Sequence, residues 1–134
     1  MKKKTIIGIG VWACVSLLGG CDKMTTDLEG QWQLNTIEAE GEVQQVDTVW
    51  YNFQTSLFRY QIYAPQTDTW AMAYGYNTYE GERLSLRLFI DDSNPDFLGR
   101  TDWEADTRDF IVEEVGGKRM VLRSEGKTYT FTKY

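Results

Sequence analysis

Histidine is absent from this chain, and cysteine is confined to Cys14 and Cys21, near its start. The first absence removes the commonest general base and the commonest transition-metal ligand. The second leaves everything after Cys21 without a thiol nucleophile or a disulfide to staple it. Serine is scarce downstream, at Ser56, Ser85, Ser93 and Ser124, and none sits in a Gly-x-Ser-x-Gly setting. Positive charge is short as well, with 14 basic against 20 acidic residues and a net charge of −6. Such a surface argues against nucleic acid and against direct adhesion to anionic lipid. There is no Pro/Gly/Ser-rich linker, internal repeat or low-complexity tract.

What the chain does have begins at its first residues. Lys2, Lys3 and Lys4 precede an apolar run from Ile6 to Gly20, the basic and apolar regions of a secretory signal. The run falls short of the about 20 residues a spanning helix needs. It ends Leu18-Gly19-Gly20-Cys21, which resembles the lipobox cut by lipoprotein signal peptidase. On that resemblance the Cys21 thiol takes a diacylglycerol, the chain is cut before it, and the new amine is acylated, palmitate being a typical chain. A single chain binds a membrane only marginally, whereas several anchor it stably. An uncut signal anchor, or a Cys14–Cys21 disulfide, is the alternative. The expected organisation is a signal peptide at 1–20, a tether at 21–27 and one domain at 28–134, on a membrane-anchored protein of the cell envelope. The outer membrane of a Gram-negative bacterium, on its periplasmic or surface face, is the expected location. Cleavage leaves 114 residues with eleven basic against twenty acidic side chains, net −9, enough chain for one core.

From Gly30 onward the pattern is period two. Trp32 and Leu34 alternate with Gln31 and Gln33; Tyr51 and Phe53 with Trp50 and Asn52; Phe58, Tyr60 and Ile62 with Arg59 and Gln61. Trp70, Met72, Tyr74 and Tyr76 alternate with Ala71, Ala73 and Gly75, and Leu84, Leu86 and Leu88 with Arg83, Ser85 and Arg87. Phe110 and Val112, Met120 and Leu122, and Tyr129 and Phe131 complete the set. Alternation of this kind marks strands with one buried and one wet face. Turns fall at Glu40-Gly41, Ala64-Pro65, Glu80-Gly81, Gly116-Gly117 and Glu125-Gly126. About eight strands in simple succession predict an all-β fold, an eight-stranded antiparallel up-and-down barrel that removes its own edges. A β-sandwich is the alternative. Only Asp91–Thr107 is long enough for anything else, with room for one helical turn at Pro95–Leu98.

Gly30-Gln31-Trp32 at the start of the first strand is similar to the Gly-x-Trp signature of lipocalins. Together with the lipobox and the ending Arg119–Phe131, it resembles the small lipocalin-like lipoproteins of Bacteroides and relatives. The resemblance implies a barrel closed at one end by Trp32, with Gly30 beside it and a C-terminal basic side chain across the indole. Arg123 is the first candidate for that base and Lys133 the second. An ordinary core tryptophan is the alternative reading of Trp32. It also implies a small apolar or amphipathic ligand held inside, and the chain lacks the C-terminal helix of larger lipocalins.

The candidate lining of such a cavity is Tyr51, Phe53, Phe58, Tyr60, Trp70, Met72, Tyr74 and Tyr76. An eight-stranded barrel has room for side chains or for one modest ligand. Several tyrosines facing one space favour a wet or ligand-filled cup, since a buried phenol needs a hydrogen-bond partner. Asp92, Asn94 and Asp96 have the spacing of a calcium loop's first ligands, but Phe97 and Trp103 stand where that loop needs Gly and Glu. Neither a metal nor a cofactor is expected. Glu104, Asp106 and Asp109 are the best carboxylates for acid–base work, and their setting reads as a solvated loop, so an enzyme is not expected. Two functions stay open: a monomeric binder of a small hydrophobic ligand, or a filled barrel docking an envelope protein through outward aromatics such as Trp50, Tyr63 and Phe89.

Overall fold

Alternating side chains leave each segment one face to bury, and in the computed structural model, which describes residues 27–134, the segments pair in chain order. The signal peptide, Cys21 and nearly all of the expected tether lie outside the described residues. The strands are β1 (Gly30–Ala39), β2 (Glu42–Gln45), β3 (Val49–Gln54), β4 (Leu57–Ala64), β5 (Thr69–Glu80), β6 (Arg83–Leu88), β7 (Thr107–Gly116), β8 (Arg119–Ser124) and β9 (Lys127–Lys133). Neighbours are antiparallel, and β9 returns to pair with β1 from Trp32↔Lys133 to Ala39↔Lys127. β2 and β3 lie end to end along one edge of β1, facing Thr36–Ala39 and Gly30–Gln33 respectively. The Val46 N–H donates to the Asn35 carbonyl at 2.8 Å across the break, so the two form one interrupted strand. The result is a closed eight-stranded antiparallel barrel and not a sandwich.

Two bulges hold the large side chains in phase with the interior. In β1 the register shifts between Leu34 and Thr36, so Asn35 is an extra residue. Trp32 and Leu34 point inward before it and Ile37 packs on the core after it. In β7 the shift at Glu113 does the same for Phe110 and Val112 before it and Val115 after it. A bulge re-aims the side chains beyond it by one residue, which an uninterrupted strand cannot do.

Connections alternate between the two ends. The β1–β2 and β8–β9 hairpins turn through Glu40-Gly41 and Glu125-Gly126, with φ of 54° and 81°, and 53° and 78°. Positive φ at both central residues matches the twist of antiparallel strands. These turns share their end with the 89–106 connection, which contains one 3₁₀ turn at Leu98–Arg100, three residues beyond the expected one. The start of β1 and the chain's C-terminus lie at the opposite end, closed by Leu28 and Trp32, whose Nε1 donates to the Leu28 carbonyl at 2.8 Å. The described residues thus supply their own sheet closure and core. Among them no helix is long and apolar enough to cross a membrane.

Candidate functional site

The strands do not fill the loop end of the barrel; the 89–106 connection does. Phe97 and Trp103 from this loop are both buried. Trp103 reaches the centre, its ring parallel to Phe58 at 6.2 Å between centroids and edge-on to Tyr60 at 5.6 Å. Its Nε1 donates to the Tyr51 hydroxyl at 3.1 Å. Phe97 meets Tyr60 edge-on at 5.4 Å. Such aromatic pairs add about 0.5–1.5 kcal/mol each beyond the area they bury.

Beside Trp103 lies a charged cluster inside the barrel wall. Arg108 is in phase with Phe110 and Val112 on β7, so its side chain points inward and is only 3% exposed. Its Nη2 donates to the Tyr129 hydroxyl at 2.6 Å, and its Nε donates to Ser124 Oγ at 3.1 Å. Nη1 stands 3.3 Å from the Asp102 carboxylate and donates to the Asp102 carbonyl at 3.2 Å. Glu125 pairs with Nε at 3.0 Å from the mouth. The Asp102 carboxylate also accepts from the Tyr129 hydroxyl and lies 3.6 Å from Lys127 Nζ. A buried guanidinium is tolerable only with this degree of pairing. A recess of about 200 Å³ opens next to it, between Asp102, Lys127 and the apolar Ile37, Ala39 and Val43.

Of the eight residues expected to line a cavity, four do face inward: Tyr51, Phe53, Phe58 and Tyr60 are buried. Burial pushes the phenols of Tyr51 and Tyr60 above the ordinary tyrosine value. Burial does the same to Tyr129, reinforced by its hydrogen bond to Asp102. The other four point the opposite way. Trp70, Met72, Tyr74 and Tyr76 are 40–57% exposed on the outer face of β5. Cross-strand partners share a face, and β4 pairs Phe58 with Gly75, Tyr60 with Ala73 and Ile62 with Ala71. The large rings of β4 take the interior, and only the small side chains of β5 fit opposite them. Gly75 is the tightest point, where a Cβ would lie 1.7 Å from the Arg87 carbonyl oxygen.

Arg123 needs correction too. It stands between inward Leu122 and Ser124 on β8, so it points outward, where its Nε pairs with Glu113 at 2.7 Å. The base over the indole is Lys133, with Nζ 5.3 Å from the Trp32 ring centroid. Gly30 leaves room for it, since a Cβ there would meet Lys133 Cε at 2.6 Å. Trp50 and Tyr63 are half-buried on the outer face against Tyr134 and Trp70, at 4.7 and 5.0 Å, and exposed Phe89 meets Tyr76 at 4.9 Å.

Among the acidic residues, Asp109 is tied to Arg83, whose hydrogen bond holds its carboxyl below the usual range, and Glu104 and Asp106 are exposed. Asn94 accepts from the Asp91 N–H within the loop's own turn. No group of three acidic residues placed to hold a metal ion occurs among the described residues. Sequence reasoning passed over Arg108, Asp102, Phe97 and Trp103. Arg108 could have been found, since it keeps step with Phe110 and Val112; no periodic signal marks the three loop residues.

A family model described as a lipocalin-like domain matches residues 16–134. The chain is similar to a crystal structure of a lipocalin-like protein from Bacteroides uniformis, at 26% identity and a TM-score of 0.74, covering 81% of this chain and 99% of that one. It is also similar to that of an uncharacterized protein from Bacteroides eggerthii, at 28% identity and a TM-score of 0.66, covering 80% and 99%. Among curated proteins none matches. With the Gly30–Trp32–Lys133 closure, the eight-stranded ring and a family match over most of its length, the chain belongs to the lipocalin-like domain family.

Proposed function

We propose that this is an envelope lipoprotein whose barrel holds one small amphipathic molecule at its loop end, with the 89–106 loop as the gate. It is a binding protein and not a catalyst. One observation carries the reading: Phe97 and Trp103, both from a loop, are buried inside the barrel against the strand ring of Tyr60. Loops cost less to displace than strands, and gates are drawn from such segments. The rings of Tyr51, Tyr60, Phe58 and Phe110 would remain as an aromatic cup. The basic start, the apolar run and Leu18-Gly19-Gly20-Cys21 support lipidation at Cys21. Because β1 starts at the end away from the loop, such an anchor turns the gate away from the membrane.

The test uses residues 21–134 with Cys21→Ser. Native mass spectrometry after incubation with a panel of lipids, sterols and bile acids should show one bound molecule, with a change in tryptophan emission that a variant lacking Trp103 does not show. If no member binds and tryptophan emission never changes, the reading fails.

A second reading rests on the outer face of β5, where Trp70, Met72, Tyr74 and Tyr76 stand exposed in one row. An exposed apolar strip of this kind marks an interaction surface, which would make a filled barrel the scaffold for docking an envelope protein. A specific cross-link from this face, lost on Tyr74→Ser, would favour it over the first.

A further inference from the structure

We propose that the gate is a built-in pseudo-ligand, and that the molecule it gives way to carries a carboxylate head on an apolar body. This deepens the carrier reading and rests on it. The loop presents two unlike parts side by side. Asp102 places a carboxylate on Arg108, Lys127 and the Tyr129 hydroxyl, and the next residue, Trp103, places a large apolar ring against Tyr51, Tyr60 and Phe58. Head and body of an anionic amphiphile would need the same two surroundings, in the same order.

The charge count points the same way. Arg108 and Lys127 supply two positive charges, and Asp102 and Glu125 supply two negative ones. When the loop lifts, Asp102 leaves with it, whereas Glu125 stays in the β8–β9 turn. One positive charge is then unmatched beside the Tyr129 phenol, whose hydrogen is freed from Asp102 for another anion. Arg108 then keeps only Glu125, at the mouth, and Lys127 loses the carboxylate it faces, so an arriving anion restores what the loop removed. A neutral apolar molecule fills the cup but leaves the cluster one negative charge short. The recess between Lys127 and the β1–β2 hairpin, lined also by Glu42, reaches Asp102 from outside.

The experiment compares a fluorescent polyene fatty acid with its methyl ester, both below micelle formation, on residues 21–134 carrying Cys21→Ser. The acid should bind about tenfold or more tightly than the ester, the worth of one charge-assisted hydrogen bond. Arg108→Leu should abolish that preference. Because this variant risks misfolding, Asp102→Asn is the second arm. It removes the internal competitor and should tighten the acid several-fold while leaving the ester near its starting affinity. Glu80→Gln, an exposed change at the opposite end of the barrel, should alter neither. Equal binding of acid and ester, or no tightening with Asp102→Asn, overturns the head-group assignment and leaves the carrier reading standing. Binding of neither probe to any variant overturns both.

Discussion

Lys133 lies across the face of Trp32, its Nζ 5.3 Å from the ring centroid, and the space its stem occupies is space that Gly30 leaves empty. The Gly-x-Trp pattern therefore has a mechanical reason here. The glycine is required twice, since it also holds a φ of 129° that a side chain rarely tolerates. Replacing Lys133 by Met keeps the stem and removes the charge, and should cost about 0.5–2 kcal/mol of stability. Gly30→Ala should cost about 1–3 kcal/mol through backbone strain alone. Arg123→Met touches only an exposed ion pair and should stay within about 0.5 kcal/mol. Urea denaturation of the three variants checks the order. An Arg123 variant as damaged as the Lys133 one would contradict the assignment.

The pairing of β5 makes a second prediction. A Cβ at Gly75 would sit 1.7 Å from the Arg87 carbonyl oxygen and 2.9 Å from Leu88 Cα. Both are backbone atoms, so no rotamer relieves the clash. Gly75→Ala should destabilise by about 3 kcal/mol, the upper end of what overpacking costs, or separate β6 from β5. Loss of amide-exchange protection confined to β5 and β6 would show the second outcome. Wild-type stability would mean that the Gly75↔Leu88 register is wrong.

These two glycines also mark where the sequence was readable. Gly30-Gln31-Trp32 carried the closure of the barrel, and period-two alternation carried its strands. The interior face of β5 was not readable in that way. Trp70, Met72, Tyr74 and Tyr76 alternate as regularly as Ala71, Ala73 and Gly75, and size alone favours the wrong set. The choice is made across the sheet, by Phe58 and Tyr60 opposite Gly75 and Ala73, a tertiary fact with no local signature. The bulges at Asn35 and Glu113 are hidden for the same reason, since a fixed period cannot register the extra residue. Arg108 was legible and passed over, because an arginine in step with Phe110 and Val112 was not expected to face inward.

Alkaline pH should unfold the protein through its buried phenols. Burial raises Tyr51, Tyr60 and Tyr129 above the ordinary value, whereas in the unfolded chain they ionise near about pH 10. Above that pH the unfolded chain holds fewer protons than the fold. The stability these groups contribute is therefore complete below about pH 10 and is lost as pH rises further toward their folded values. The urea midpoint should fall steeply beyond about pH 10, with phenolate absorbance of the folded protein lagging that of the unfolded chain. A midpoint unchanged through that range would mean that the three hydroxyls are open to water.

Lipidation at Cys21 predicts where the protein is found. With Cys21 intact, the chain should fractionate with membranes and enter the detergent phase. Cys21→Ser should leave the chain unacylated, taking up no labelled palmitate, with residues 1–20 uncut by lipoprotein signal peptidase, since the acylated thiol is that enzyme's mark. The barrel's own stability should not change, because the described residues supply their own closure and core. A protein with Cys21 intact that takes up no labelled palmitate and keeps residues 1–20 would point instead to an uncut signal anchor.

Trp103 and Trp70 separate the two functional readings. Trp103 is buried among Tyr51, Phe58, Tyr60 and Phe110, whereas Trp70 is half-exposed on the outer face. Trp103→Ala should cost about 3–5 kcal/mol, as large-to-small changes in a core do. It should also empty part of the cup, so that an uncharged apolar dye gains affinity. Trp70→Ala removes an exposed ring and should change stability by about 0.5 kcal/mol at most. If the barrel carries a ligand, Trp70→Ala leaves uptake unchanged and Trp103→Ala alters it. If the outer face docks a partner, the effects exchange places: cross-linking falls with Trp70→Ala and survives Trp103→Ala wherever that variant remains folded.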